Sequence, residues 1–137
     1  MNAKKFLISG ILAGIVILII SQLFDLIIQM FGPPYNVMDL AGMRNIKDPL
    51  ILLFFAHYWV ISFAMAIVYP YLSNSLKGTF MQKGQTFGLL MWLIGGFTSA
   101  FIVFTSMDYP IGFTISSLIG SLLYSVGAGI TIAKLME

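Results

Sequence analysis

An aspartate stands inside a long apolar run. Ser21, Asp25 and Gln29 follow one another at intervals of four, with Gln22 beside them, among leucines, isoleucines and phenylalanines. On a helix that spacing makes one stripe, which continues backward through Ile17 to the small residues Gly14 and Gly10. The carboxylate is therefore expected to face other helices rather than lipid. An ionisable group at mid-membrane costs about 2.5–3.5 kcal/mol on insertion scales. The seventeen Leu, Ile, Val and Phe residues between positions 6 and 31 supply roughly −5 to −10 kcal/mol. Insertion tolerates Asp25 without explaining it, and an intramembrane acid is by default a functional candidate.

The single histidine, His57, lies seven residues into the next apolar run, while Asp25 lies six residues before the end of the first. At about 1.5 Å of rise per residue, both fall roughly 9–11 Å below the same ends of their helices. Consecutive helices usually neighbour each other, so an Asp25–His57 contact is expected. Two readings stand side by side. In one, the pair satisfies itself, with Ser21 or Gln22 completing a network. In the other, it is a protonatable or ligand-holding site. One His and one Asp leave most of a metal shell unfilled, so no metal and no cofactor is expected; a lone His leaves haem ligation as a third-rank idea. Tyr124, mid-run among glycines, needs a partner for its hydroxyl and is a further candidate.

These residues must be positioned by membrane-spanning elements. Of 137 residues, 59% are hydrophobic and 9% charged, whereas soluble domains carry about 25% charged residues. Lipid must therefore be the solvent for most of the surface. Four runs reach the roughly 20 residues that a span needs, at about 6–31, 50–72, 85–106 and 111–135, forming a single transmembrane domain. Gly32-Pro33-Pro34, Asp48-Pro49, Pro70 with Ser73-Asn74-Ser75, and Asp108-Tyr109-Pro110 interrupt them. The first run is longer than a signal h-region and reads as a retained anchor. The fold class is all-α, an integral membrane four-helix bundle.

Lys4, Lys5, Lys77, Lys83 and Lys134 fall on one side and Arg44 and Lys47 on the other. The positive-inside rule then places both termini in the cytoplasm of a multi-pass cell-membrane protein. The connection 32–49 is the only long one. Asn36 can cap a short turn there, and the segment reads either as a lid along the outer surface or as an ordered linker.

Helices in lipid associate through small residues. Gly10 and Gly14 mark the first span, and Gly95 and Gly96 the third. The fourth carries Ser116, Gly120, Ser121 and Gly127 on two adjacent faces. Two such faces place that helix centrally or at an oligomer seam, and a homo-oligomer or a larger membrane complex is expected. Trp59, Tyr35, Tyr69, Tyr71 and Tyr109 near the span ends read as an interfacial belt, and Trp92 as packing.

No metalloprotease, nucleophile-elbow, phosphate-loop or dinucleotide motif is present, which weighs against an enzyme. A net charge of +2 without a basic cluster excludes a nucleic-acid partner. The stretch Asp48-Pro49, Phe54-Phe55-Ala56-His57, Phe63-Ala64-Met65 and Val68-Tyr69, followed by Gly84-Gln85-Thr86-Phe87-Gly88-Leu89-Leu90, resembles small four-helix membrane proteins of unknown function, in which a His opens helix two and a Tyr closes it. The resemblance implies the same topology and brings no activity with it. Three functions are weighed: a small oligomeric transport or permeation protein using the Asp/His site, a non-catalytic subunit or assembly partner of a membrane complex, and an intramembrane haem protein or enzyme. The first is preferred.

Overall fold

Backbone N–H and C=O groups in hydrocarbon must be satisfied within the segment, so long apolar runs fold as helices. The computed structural model describes residues 2–31 and 36–137. Among them it is all-helical, with four helices long and apolar enough to cross a membrane: α1 (Ala3–Phe31), α2 (Ile51–Leu72), α3 (Phe80–Ser106) and α4 (Ile111–Met136). Gly32-Pro33-Pro34, the expected stop of the first span, and the belt residue Tyr35 lie outside the described residues. The 29 residues of α1 give a rod of about 43 Å, longer than the ~30 Å hydrocarbon layer of a bilayer.

The helix ends are set by local chemistry. α3 starts five residues ahead of Gln85 because Thr79 caps it. The Thr79 hydroxyl accepts from the Gln82 backbone N–H at 3.5 Å, and the Thr79 N–H donates to Gln82 Oε1 at 3.0 Å. Gly78, at φ +98°, makes the preceding reversal, a conformation that a Cβ disfavours. Between α1 and α2, Asn36 Oδ1 accepts from the Met38 N–H at 3.0 Å and starts a 3-10 turn over Val37–Asp39. Nearer α2, Asp48 Oδ1 accepts from the Leu50 N–H at 2.9 Å and Oδ2 meets Arg44 at 2.7 Å. These bonds, the backbone one foremost, hold the Asp48 carboxyl below its ordinary value. The Tyr109 hydroxyl donates to the Ala41 carbonyl at 2.9 Å, tying the α3–α4 link to this connection.

Helix order follows from where small residues let backbones approach. α1 packs between α2 and α4, and α4 between α1 and α3; α1 and α3 do not touch. Along α1–α2, Gly10 and Gly14 leave room for Phe63, Trp59 and Ser62, and Ser62 Oγ donates to the Gly10 carbonyl at 2.8 Å. Along α1–α4, Gly120 faces Phe24, and Gly127 faces Ile20 and Val16. The α3–α4 crossing is the tightest: Gly84 and Gly88 lie against the backbone of Ser125, Val126, Gly129 and Ile130. Both small faces of α4 are thus occupied within one chain, one by α1 and the other by α3. α2 and α3 barely meet, with Tyr69 and Phe87 edge to face at 5.1 Å between ring centroids.

The fully buried apolar residues all sit in the same half of the bundle. Ala13 and Ile17 of α1, Ala66 and Tyr69 of α2, Phe87 of α3 and Ala128, Ile132 and Ala133 of α4 lie toward the end that carries Lys5 and Glu137. Tyr69, expected in the interfacial belt, is 1% exposed and donates to Glu137 Oε1 at 3.0 Å, because α4 ends beside it. Trp59 likewise packs on Gly14. Leucine, isoleucine and phenylalanine side chains cover the outside of all four helices, a surface suited to acyl chains.

Candidate functional site

Four helices converge on a packed core in one half, and in the other half they enclose a cleft. Because α2 and α3 separate beyond the Tyr69–Phe87 contact, a cavity of about 680 Å³ lies between them, floored by α1 and α4. α1 contributes Ser21, Phe24 and Asp25, while α2 contributes Phe54, His57, Tyr58, Ile61 and Met65 among others. α3 supplies Ile94, Gly95, Gly96 and Ser99, and α4 supplies Ser116, Ser117, Gly120, Ser121 and Tyr124. Val37, from the turn after α1, also reaches the cavity.

Asp25 and His57 line this same space but do not pair. No ion pair joins the carboxylate to a cation among the described residues, so the expected Asp25–His57 contact is not made. His57 Nδ1 is instead bonded to the Phe54 carbonyl, one turn earlier in its own helix. A carbonyl only accepts, so Nδ1 is the donor in this bond. The physical reason is rotation: equal depth places the two residues at one level, and each helix's own packing decides which way each side chain turns.

Tyr58, the neighbour of His57, takes the place that the histidine was expected to fill. Its side chain is 9% exposed. Its hydroxyl lies among Ser21, Gln22 and Asp25 of α1, and within electrostatic range of Tyr124 of α4. Ser21 Oγ is buried and meets no full hydrogen-bond geometry, although the Tyr58 hydroxyl is close by. Gln22 and Gln29 are exposed and do not line the cavity, and Asp25, expected to be covered by other helices, is exposed as well because the cleft beside it is open. Tyr58 is absent from the sequence-based candidates because its one signal is weak: a tyrosine beside the only histidine, well inside a span.

α3 forms a π-helical turn over Trp92–Phe97 where it borders the cavity. Such turns displace one residue from the regular ladder and recur at functional sites. Trp92 Nε1 donates to the Leu118 carbonyl and to Ser121 Oγ, both at 3.1 Å, which fixes this wall to α4. Gly96 and Ser121 pack at that joint. Gly95 does not pack within the chain: nothing stands within 4 Å of where its Cβ would be. Ser116 returns its hydroxyl to the Gly112 carbonyl at 2.7 Å, a common way for serine to sit in a membrane helix.

A second hollow, about 260 Å³, lies at the opposite end between Lys5, Tyr69, Ser73, Lys83 and Glu137. Lys83 meets Glu137 at 2.7 Å, and Lys5 Nζ reaches the carbonyls of Met136 and Glu137 at 3.4 and 3.3 Å. The Lys83 ammonium, with the Tyr69 hydroxyl, holds the Glu137 carboxyl below its ordinary range. These contacts fasten α1, α2 and α3 to the last turn of α4, a structural use of charge. Among the described residues no three His, Asp or Glu side chains gather as metal ligands would.

Comparison with protein-family profiles, with characterised proteins and with solved structures finds no match to this chain. The functional reading therefore rests on the cavity and its chemistry.

Proposed function

We propose that the chain is a small membrane transport or permeation protein whose substrate site is the cavity between α2 and α3. One observation carries the reading: all four helices contribute to a space of about 680 Å³ that combines apolar walls with Asp25, the His57 imidazole and the Tyr58 and Tyr124 hydroxyls. Ligand sites typically have 300–1,000 Å³ and a few convergent polar groups in an apolar lining. A bundle built only to be stable would close this half as it closes the other. With the positive-inside rule, the lysine-rich end faces the cytoplasm and the cavity lies in the outer half. Oligomerisation is not needed for this reading, since both small faces of α4 are used inside one chain.

The chain has no cysteine, so single cysteines report access cleanly. Ser117→Cys in the cavity is labelled with a membrane-impermeant maleimide, with lipid-facing Ile119→Cys as the unreactive control. Asn45→Cys and Asn74→Cys, in the connections at opposite ends, report sidedness. Transport requires Ser117→Cys to react when reagent is supplied from either face. Protection from both faces would remove the reading.

A second reading has its own support. Gly95 and Ser99 form an exposed small-residue pair facing the cleft, unused within the chain, and such pairs accept a neighbouring helix. A non-catalytic subunit of a membrane complex would seat its partner there. In that case Ser117→Cys would be shielded in native membranes and reactive only after purification.

A further inference from the structure

We infer that the cavity takes a hydrophobic organic monocation, a quaternary ammonium or phosphonium with a bulky apolar body, held by Asp25 and the aromatic rings around it. The inference rests on the transport reading and names the substrate class of that site.

Three observations lead to it. Among the described residues Asp25 is the one acidic side chain in the cavity lining, and no lysine or arginine lines the space with it. Neither of the two ion pairs among the described residues involves it, and His57 is bonded elsewhere. No ion pair or hydrogen bond among the described residues occupies the carboxylate, which is left to meet a ligand. Phe24, Phe54 and Tyr58 line the same space, and the face of an aromatic ring attracts a cation. The remaining lining offers serine and tyrosine hydroxyls, the His57 imidazole and apolar carbon, with no lysine or arginine to hold an anion. An anionic head would meet Asp25 directly, and like charges repel. A neutral apolar molecule would fit the walls and leave the carboxylate unanswered.

Size is not enough to separate these classes, but charge is. Tetraphenylphosphonium and tetraphenylborate have nearly the same shape and opposite charge. The purified full chain in detergent is titrated with each, with protein-free micelles as the blank. The expected result is saturable tetraphenylphosphonium binding that tetraphenylborate does not displace, weakened at least tenfold by Asp25→Asn and retained in Asp25→Glu. Equal binding of both ions, unchanged phosphonium affinity in Asp25→Asn, or no saturable binding by a chain of intact helix content would each overturn it. Ser117→Cys labelling in the same preparation separates the two levels. A labelled cavity without cation binding sinks the monocation alone, while a protected cavity sinks the transport reading with it.

Discussion

Replacing Gly88 with alanine adds one methyl group at the α3–α4 crossing, and its consequence can be worked from distances. A Cβ at Gly88 would stand 2.5 Å from the Ser125 carbonyl oxygen and 2.6 Å from Val126 Cα. Ordinary contact starts at 3.4 Å, so the methyl is about 0.9 Å short of room. The obstructing atoms are backbone and cannot swing away. The two helices must part by nearly that amount, and the crossing loses contact over the neighbouring turns where Gly84 faces Gly129. Overpacking of this kind costs about 1–3 kcal/mol. A value near 2 kcal/mol shifts the folding equilibrium by roughly 30-fold. Gly95→Ala is the matched control: the same methyl group in the same helix meets nothing within 4 Å. It should be neutral or stabilising by up to about 1 kcal/mol through helix propensity. Reversible unfolding in mixed dodecyl maltoside and SDS micelles, followed by far-ultraviolet circular dichroism, measures both. A Gly88→Ala chain that unfolds within about 0.5 kcal/mol of the parent, on the order of the error, or two variants of equal cost, would mean that the crossing is not held by close backbone contact.

Two smaller effects follow from the same geometry. Ser62→Ala removes the 2.8 Å bond to the Gly10 carbonyl and should cost about 0.6 kcal/mol, at most about 1.7, as interhelical bonds in membranes do; the same micelle titration reads it, and a loss above 3 kcal/mol would point to repacking rather than to the bond. At the other end, Glu137 is held below its ordinary value of 4.5 by Lys83 and Tyr69. A depressed carboxyl stabilises fully above its ordinary value and loses that contribution as pH falls through the lower, folded one. The stability difference between the parent and Glu137→Gln, within the 0–1 kcal/mol of exposed pairs, should therefore be steady at pH 6 to 7 and shrink below pH 4.5. A difference independent of pH would mean that the Lys83–Glu137 pair contributes nothing.

The four helices long and apolar enough to cross a membrane were legible in the residues themselves. Lipid acts on each helix separately: every run of about twenty apolar residues gains by insertion whatever its neighbours do. Small residues on two faces of α4 announced a helix either central or at an oligomer seam, and packing between α1 and α3 takes the first. The start of α3 was less visible, because Thr79 and Gln82 lie in a polar stretch where hydropathy has no signal and only the capping box marks the turn.

Depth along the membrane normal is a one-dimensional property, which is why Asp25 and His57 were placed at one level from their positions alone. Rotation about each helix axis and order around the bundle are different quantities. They depend on which pairs of surfaces give the best summed contact, and no single helix contains that information. Tertiary packing therefore decided that Gly84 and Gly88, rather than Gly95, meet α4, that Tyr58 and not His57 turns toward Ser21 and Gln22, and that α2 and α3 stay apart. That separation opens the cavity, and nothing in the order of the residues announces it.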